Sequence, residues 1–569
     1  HRITCSEKGK VSLSNEGGRI WVTISSLKKG ASVEMSSWIT KVGEKQPTFA
    51  SGDPIKLSTM LKGGARFYTK DVAVKGILDA DPAAKGSAYT FDEIPVPSEN
   101  PYGMPMTTCG IAFGEDGAAY IPTLVGDVWK VTGLDASLAN VKWQRYATGL
   151  NSPLGIEMVD GVLHVLTQHQ ILKLYDFNND GEADLVRPLT KRGFPGGRLH
   201  NLERDAKGNF YSSHVNGIHR ISPDGSRINV VSGRSRNPLG LAVRADGLAL
   251  SDSSEGNQSN GTCTIYESKH PENQNTVAKG RRILYLPRGI DNSPGSRIFM
   301  NSTKFGALGK SLFGVSYGSG RIYQLMRDPN NGSPQAALRM LPGEFSSGAS
   351  RLEMNPRDEQ LYVVGFDGWG DFGVTEGSFT RVRYTGKKDL TPVSWQSYSD
   401  GLCVKFNEPI DPTSITAKSL FIQQWNYRDS LHSYGSPEYS VKDGNKLGHD
   451  RLKIESITFS KDGTEMLIKA PDILPAMCTQ IYAKLKSASG AELTLDLYAT
   501  INQLPKKSLT GETTVSTKPH DLKVPYKDNN QNTYATITGF FDKRAGRDLV
   551  KRPVGPIVPY KKNELNYNW

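Results

Sequence analysis

A turn–strand–break–strand pattern returning along residues 114–386, scarce helical periodicity and longer alternating strands after Gly386 together predict an all-β chain. The expected architecture is a six- or seven-bladed β-propeller followed by an immunoglobulin-like β-sandwich. At 569 residues the chain is too long for a single core, so several domains are expected. The 58 glycines and 32 prolines suit many tight turns, and without a Gly-X-Y period they do not indicate collagen.

The repeat reads GEDGAAYIPTLVGDVWKV from Gly114, VDGVLHVLTQHQILKLYD from Val159, DAKGNFYSSHVNGIHRISPDG from Asp205 and RADGLALSDSSEG from Arg244. Looser copies are GKSLFGVSYGSGRIYQL from Gly309 and DEQLYVVGFDGWG from Asp358, the latter running on to SFTRVRYTG. Asp-Gly supplies the turn because glycine accepts positive φ without a Cβ clash. A lone blade cannot bury both faces of its sheet, whereas stacked blades can, so a series of copies predicts a closed ring. The longest helical candidate, around Asp135–Ala139, makes one or two turns at most. The expected division is a β-rich segment 1–95 that contributes to or packs on the ring, the propeller at 96–390, the sandwich at 391–505 and a basic Pro/Lys-rich extension at 506–569.

The formal net charge is +11, with Lys and Arg dense over 504–565, which favours anionic partners. No nucleic-acid module is present. Five cysteines, at 5, 109, 263, 403 and 478, form no CxxC pair, which excludes zinc-ribbon, thioredoxin and attached-haem readings. An oxidising compartment would allow one or two disulfides, with at least one cysteine left over. No apolar run is long enough to span a membrane. Without a leader sequence, the chain is expected to be either cytoplasmic or a mature secreted or periplasmic form beginning at His1. Sequons at Asn257, Asn260 and Asn301 matter only in a eukaryotic secretory route.

Asp176, Asn178, Asp180, Glu182 and Asp184 place oxygen side chains at alternate positions around Gly181, a pattern suited to Ca²⁺. The closing glutamate of an EF-hand is replaced by Arg187, so any metal here is expected to be structural; an Asx-rich turn without metal is the alternative. His169 and His214 occupy equivalent breaks, and His200 follows a glycine-rich loop two residues after Arg198. With Asp252 they are expected at one mouth of the ring as an acid–base cluster, His200 being the base. Arg198, His200, His214 and Tyr211 could staff β-elimination on a uronate-containing glycan. Arg351, Asp367 and Trp369 are candidate sugar contacts, the tryptophan stacking on a sugar face. No Walker loop, Rossmann triad, Gly-x-Ser-x-Gly elbow or HExxH is present.

GDVWKVTGLD at 126–135, ATGLNSPLGIEMVDG at 147–161, DFNNDGEAD at 176–184, NPLGLAVRADG at 237–247, SYGSGRIYQL at 316–325 and RVRYTGK at 381–387 carry a family resemblance. Over about 100–500 the chain resembles large secreted planctomycete and verrucomicrobial proteins named membrane-bound dehydrogenases, whose rings are similar to soluble sugar dehydrogenases. The resemblance implies sugar or alcohol oxidation of the quinoprotein type, with pyrroloquinoline quinone near Arg236 and Asn237. Many relatives carry a cytochrome c module with a CxxCH signature; this chain has none, so oxidation would need a separate electron acceptor. Where relatives show His and Trp after the Asp252 position, this chain reads SDSSEGNQSNG, a departure that weighs against the same chemistry. The expected function is therefore an extracytoplasmic carbohydrate-active propeller, with oxidation first, uronate elimination second and glycan or protein binding without chemistry third.

Overall fold

The structure is a computed structural model. It describes residues 2–5, 10–16, 19–29, 33, 35–38, 43–44, 56, 59, 61–190, 193–194, 199–254, 262–268, 281–287, 290–291, 293–328, 334–367, 375–416, 419–428, 436–509 and 515–516. Six antiparallel sheets follow one another along the chain. Their first strands are Ala112–Phe113, Gly155–Val159, His200–Arg204, Leu241–Val243, Pro294–Phe299 and Gly348–Met354. Each first strand lies against the next, and the sixth lies against the first, so the sheets form a closed ring with these strands innermost.

The closing strand comes from before the ring. Tyr89–Glu93 pairs with Gly377–Tyr384 as the outermost strand of the sixth sheet, and Val72–Val74 edges the first. Segment 61–104 is therefore part of the ring's construction. Nearer the start, Lys10–Glu16 pairs with Arg19–Ser25 and Arg2–Cys5 with Met35–Trp38.

Apolar side chains meet between neighbouring sheets. Phe313, Ile322, Leu352 and Val363 fill the gap between the fifth and sixth sheets, and Trp129, Trp143, Val364 and Phe379 the gap between the sixth and first. Alternation along each strand sends one face to each neighbour, which is why a single sheet could not be stable alone. Near the axis the inner strands converge so closely that side chains are excluded: a Cβ on Gly155 would lie 2.5 Å from Leu202 N, and one on Gly295 would lie 2.5 Å from Ala349 O.

After Gly386, Pro392–Tyr398, Gly401–Phe406, Glu465–Lys469 and Ser456–Phe459 make one sheet. A second runs Asp450–Arg451, Leu420–Trp425, Ala476–Lys486 and Glu492–Ile501, and continues into the ring because Glu492–Ile501 pairs with Ala336–Met340 of the fifth sheet. Trp395, Phe406, Ile422, Ile468 and Leu497 form the core between these two sheets. Trp395 Nε1 donates to Met326 O at 2.7 Å, fastening the unit to the ring.

The Asp135–Ala139 stretch is a turn rather than a helix, with Asp135 Oδ1 accepting from the backbone of Ser137 and Leu138. Cys109, Cys263, Cys403 and Cys478 are buried, and no disulfide joins these four. Among the described residues, no helix is long and apolar enough to cross a membrane.

Candidate functional site

In each sheet, the loop entering the inner strand and the turn joining the second and third strands lie at the same end, here termed the entry mouth. His169 is exposed there in the Thr167–Gln170 turn, and His200 is half-buried at the start of its inner strand. Arg236 is half-buried, Asn237 is exposed with φ 41°, and Asp367 is exposed directly after the Leu361–Phe366 strand. Arg198 and Trp369 lie outside the described residues.

Four other expected site residues occupy structural positions. His214 is 1% exposed, accepts from Asn216 N at 3.2 Å and lies 5.1 Å from the His219 ring. Tyr211 lies three positions earlier on the same strand, roughly 10 Å away by strand rise. Its hydroxyl donates to Asp205 Oδ2 at 2.9 Å. The elimination set of His200, His214 and Tyr211 is thus divided between the two ends of the third sheet. Asp252 is fully buried, with Oδ2 3.0 Å from Arg297 Nη2 of the next sheet. Burial pushes its carboxyl up to about 6 against the pull of Arg297, so this residue braces two sheets rather than facing a substrate. Arg351 is also buried, donating to Ser350 O at 2.7 Å and Leu154 O at 3.2 Å across the inner strands.

The Asp-rich turn joins the third and fourth strands of the second sheet. It bends at Asn179, φ 58°, and Gly181, φ 87°. Asp176 accepts from Gly181 N at 2.9 Å, and its carboxyl is raised by burial and by neighbouring Asp180. Among the described residues no group of three acidic, His or Cys side chains is placed to hold a metal ion, and the oxygens here are spent on the turn itself, Asp180 N donating to Asp176 Oδ1 at 3.2 Å and to Asn178 Oδ1 at 3.1 Å. Glu182 and Asp184 are directed elsewhere: Glu182 Oε2 accepts from Phe67 N at 2.9 Å and Tyr68 N at 2.8 Å, and Asp184 Oδ1 from Gly64 N at 2.7 Å. These two carboxylates dock the segment before the ring.

At the opposite end of the axis, the inner strands surround a cavity of about 240 Å³. Glu157, Glu203 and Glu353 line it with Arg204 and Asn301, and Ala242, Val243, Ile298, Phe299, Met300 and Met354 border it while their side chains pack into the cores between sheets. The carboxyls of Glu157 and Glu203 accept no hydrogen bond among the described residues, Glu353 accepts only from Met354 N at 3.0 Å, and Arg204 Nε is buried without a partner. The three glutamates are half-buried, and the packed inner strands around them still make burial the main influence on their ionisation. Glu157 is pushed up to about 8 by burial and then by Glu353, with Arg204 opposing. Burial and the two other glutamates raise Glu203 well above the carboxylate range, and burial raises Glu353 to about 7. The three titrate as a coupled set.

Sequence reasoning missed this cluster. The available signal was a glutamate following an aliphatic residue in three inner strands, at Ile156-Glu157, Leu202-Glu203 and Leu352-Glu353, where the fifth has Ile298-Phe299. Pyrroloquinoline quinone does not fit here, because its three carboxylates would meet three glutamates with one arginine to offset them.

No protein-family model and no curated protein sequence matches this chain. Among solved structures, it is similar to a Thermus thermophilus oxidoreductase described as a glucose dehydrogenase, with 15% identity over 48% of this chain and 96% of that one, TM-score 0.37. It is also similar to a gluconolactonase from Xanthomonas campestris, with 14% identity over 55% and 98%, TM-score 0.37. A third is the PQQ domain of a pyranose dehydrogenase from Coprinopsis cinerea, with 12% identity over 53% and 96%, TM-score 0.39.

Proposed function

We propose that this chain is an extracytoplasmic carbohydrate-active propeller enzyme whose ring is followed by an immunoglobulin-like support domain, and that its site is the axial cavity. The observation supporting this reading is that Glu157, Glu203 and Glu353, lacking protein partners apart from one backbone contact, line one axial cavity with Arg204 and Asn301. Carboxyls, a guanidinium and a side-chain amide in one concavity can bind the hydroxyls of a sugar.

The chemistry favoured is general acid–base hydrolysis of a glycosidic bond. Near neutral pH, a protonated member such as Glu157 donates its proton to the departing oxygen as the C–O bond breaks. An ionised member such as Glu353 takes a proton from the attacking water as the new C–O bond forms. Quinone-linked oxidation and uronate elimination would instead use the entry mouth, at His200, Arg236 and Asn237. An anionic uronate is disfavoured among the glutamates.

A screen of oligosaccharides and aryl glycosides tests this, reading reducing-end release, dye reduction with added quinone and ultraviolet absorbance of unsaturated product. Reducing ends should appear without an electron acceptor, with turnover falling about 100-fold or more in Glu157→Gln and Glu353→Gln. Dye reduction that survives both substitutions would favour oxidation, and unsaturated product would favour elimination. Binding without turnover would make the ring a recognition module.

A further inference from the structure

We infer that segment 436–450 of the domain after the ring is a proton-operated latch, closed on Trp425 when His449 is charged and loosened when it is neutral. Four side chains make a closed circuit. His449 Nε2 lies 2.5 Å from Glu438 Oε2, and its ring is stacked on Trp425 at 4.1 Å and 14°. Trp425 Nε1 donates to the Tyr427 hydroxyl at 2.7 Å, which in turn donates to Glu438 Oε1 at 3.2 Å. Trp425 is 2% exposed beneath them. The backbone follows the same path: Gly448 N donates to Glu438 O at 3.1 Å, Asn426 N to Tyr439 O at 2.8 Å and Tyr439 N to Asn426 O at 2.9 Å. Under the latch, Trp425, Tyr427 and Cys478 share one core with Tyr285 of the fourth sheet's outermost strand. Tyr285 N also donates to Thr500 Oγ1 at 2.8 Å, so the latch bears on the joint between the ring and this domain.

Imidazole is the side chain whose ordinary titration falls between about pH 5 and 8. As imidazolium it gives Glu438 a charge-assisted bond and lays a cation on the Trp425 face; as neutral imidazole it keeps only an ordinary hydrogen bond. The neighbouring groups do not compete for that role. Burial raises Tyr427, Cys478 and Tyr498 well above their ordinary values, which keeps all three uncharged. Asp496 is held by Gln480 at 2.7 Å and Tyr498 at 3.0 Å, and Asp450 by Ser440 Oγ at 2.8 Å and Lys442 N at 2.9 Å. Lys442 pairs with Asp472 at 3.4 Å, and Arg428 lies over the Tyr439 ring at 4.1 Å. The ion pair therefore contributes fully in mild acid, and its contribution is lost as pH rises and the imidazole gives up its proton.

Hydrogen exchange of the full chain, read by mass spectrometry at about pH 5.5 and 8.5 and corrected for intrinsic rates, tests the inference. Peptides within 436–450 should lose protection about tenfold at the higher pH, the equivalent of one charge-assisted contact. Gly401–Phe406, in the other sheet of the same domain, should change by less than about threefold. His449→Gln keeps a donor toward Glu438 but takes up no proton, so its protection should agree at the two pH values to within about threefold. Glu438→Gln removes the other charge and should give the same flat response; it serves as the second variant if the first fails to fold by circular dichroism. Equal protection of 436–450 at both pH values in the wild type would overturn the inference. A pH response that survives both substitutions would place the proton on another group and overturn it as well. So would an equal loss across the whole domain, which would make the change global rather than a latch.

Discussion

Arg381 Nε donates to Asp92 Oδ2 at 2.9 Å, and Arg383 Nε reaches the same oxygen at 2.7 Å. A carboxylate from before the ring is thereby clasped by two guanidiniums of its last sheet. Asp92→Asn should cost about 3–5 kcal/mol, because it leaves the buried Arg381 uncompensated. Burial alone would raise the Asp92 carboxyl, but hydrogen bonds from Arg383 and from Asp79 N, with the charge of Arg381, hold it below its ordinary value. Its contribution is therefore present above the unfolded carboxylate value of about 3.9 and is lost as pH falls through the lower folded value. Denaturant titrations between pH 2 and 7 check this; a variant as stable as wild type at pH 7 would mean that the strand pairing alone closes the ring.

The axial glutamates give the opposite slope. With Glu157 raised to about 8 in the folded chain, its favourable contribution is complete below the unfolded value and disappears as pH rises toward the folded one. Glu157→Gln should therefore stabilise the ring by about 1–3 kcal/mol at pH 8 and hardly at all at pH 4. Thermal melts at both pH values measure the difference. A variant less stable at pH 8 would show that the carboxylate already has a partner.

Asp252 and His214 are expected to matter for folding alone. Asp252→Asn should cost about 3–5 kcal/mol by stranding Arg297, while turnover per folded molecule stays as in wild type. Activity normalised to the folded fraction separates the two effects. A selective loss of turnover would restore Asp252 to the chemistry.

In the 176–184 turn the oxygens accept hydrogen bonds from the turn itself, so chelator-treated protein should take up no Ca²⁺ there. Glu182→Gln should speed tryptic cleavage after Arg66, since Glu182 holds the neighbouring Phe67 and Tyr68 amides. Calorimetry and timed proteolysis read the two outcomes separately. Ca²⁺ uptake that is lost in Asp176→Asn would make this a metal site instead.

The repeat was legible because Asp-Gly turns and period-two alternation are local signals; they survive wherever the sheet sits in the ring. The origin of the closing strand was less legible, since Tyr89–Glu93 finds its partner through a contact spanning about half of the chain. Histidines were overread. His214 shares the break position of the exposed His169, but its side chain packs beside His219 of the adjoining strand in the same sheet. Glu157, Glu203 and Glu353 were missed because each resembles an ordinary outward-facing strand residue. Only ring closure turns the three inward onto one axis.

The most direct test of the axial site is a crystal structure of the full chain soaked with a saccharide that it binds or turns over. The account expects the sugar beside Glu157, Glu203 and Glu353, with Arg204 within hydrogen-bonding reach. A sugar ordered instead at the entry mouth, against His200 and Arg236 with the axial cavity holding only water, would contradict it.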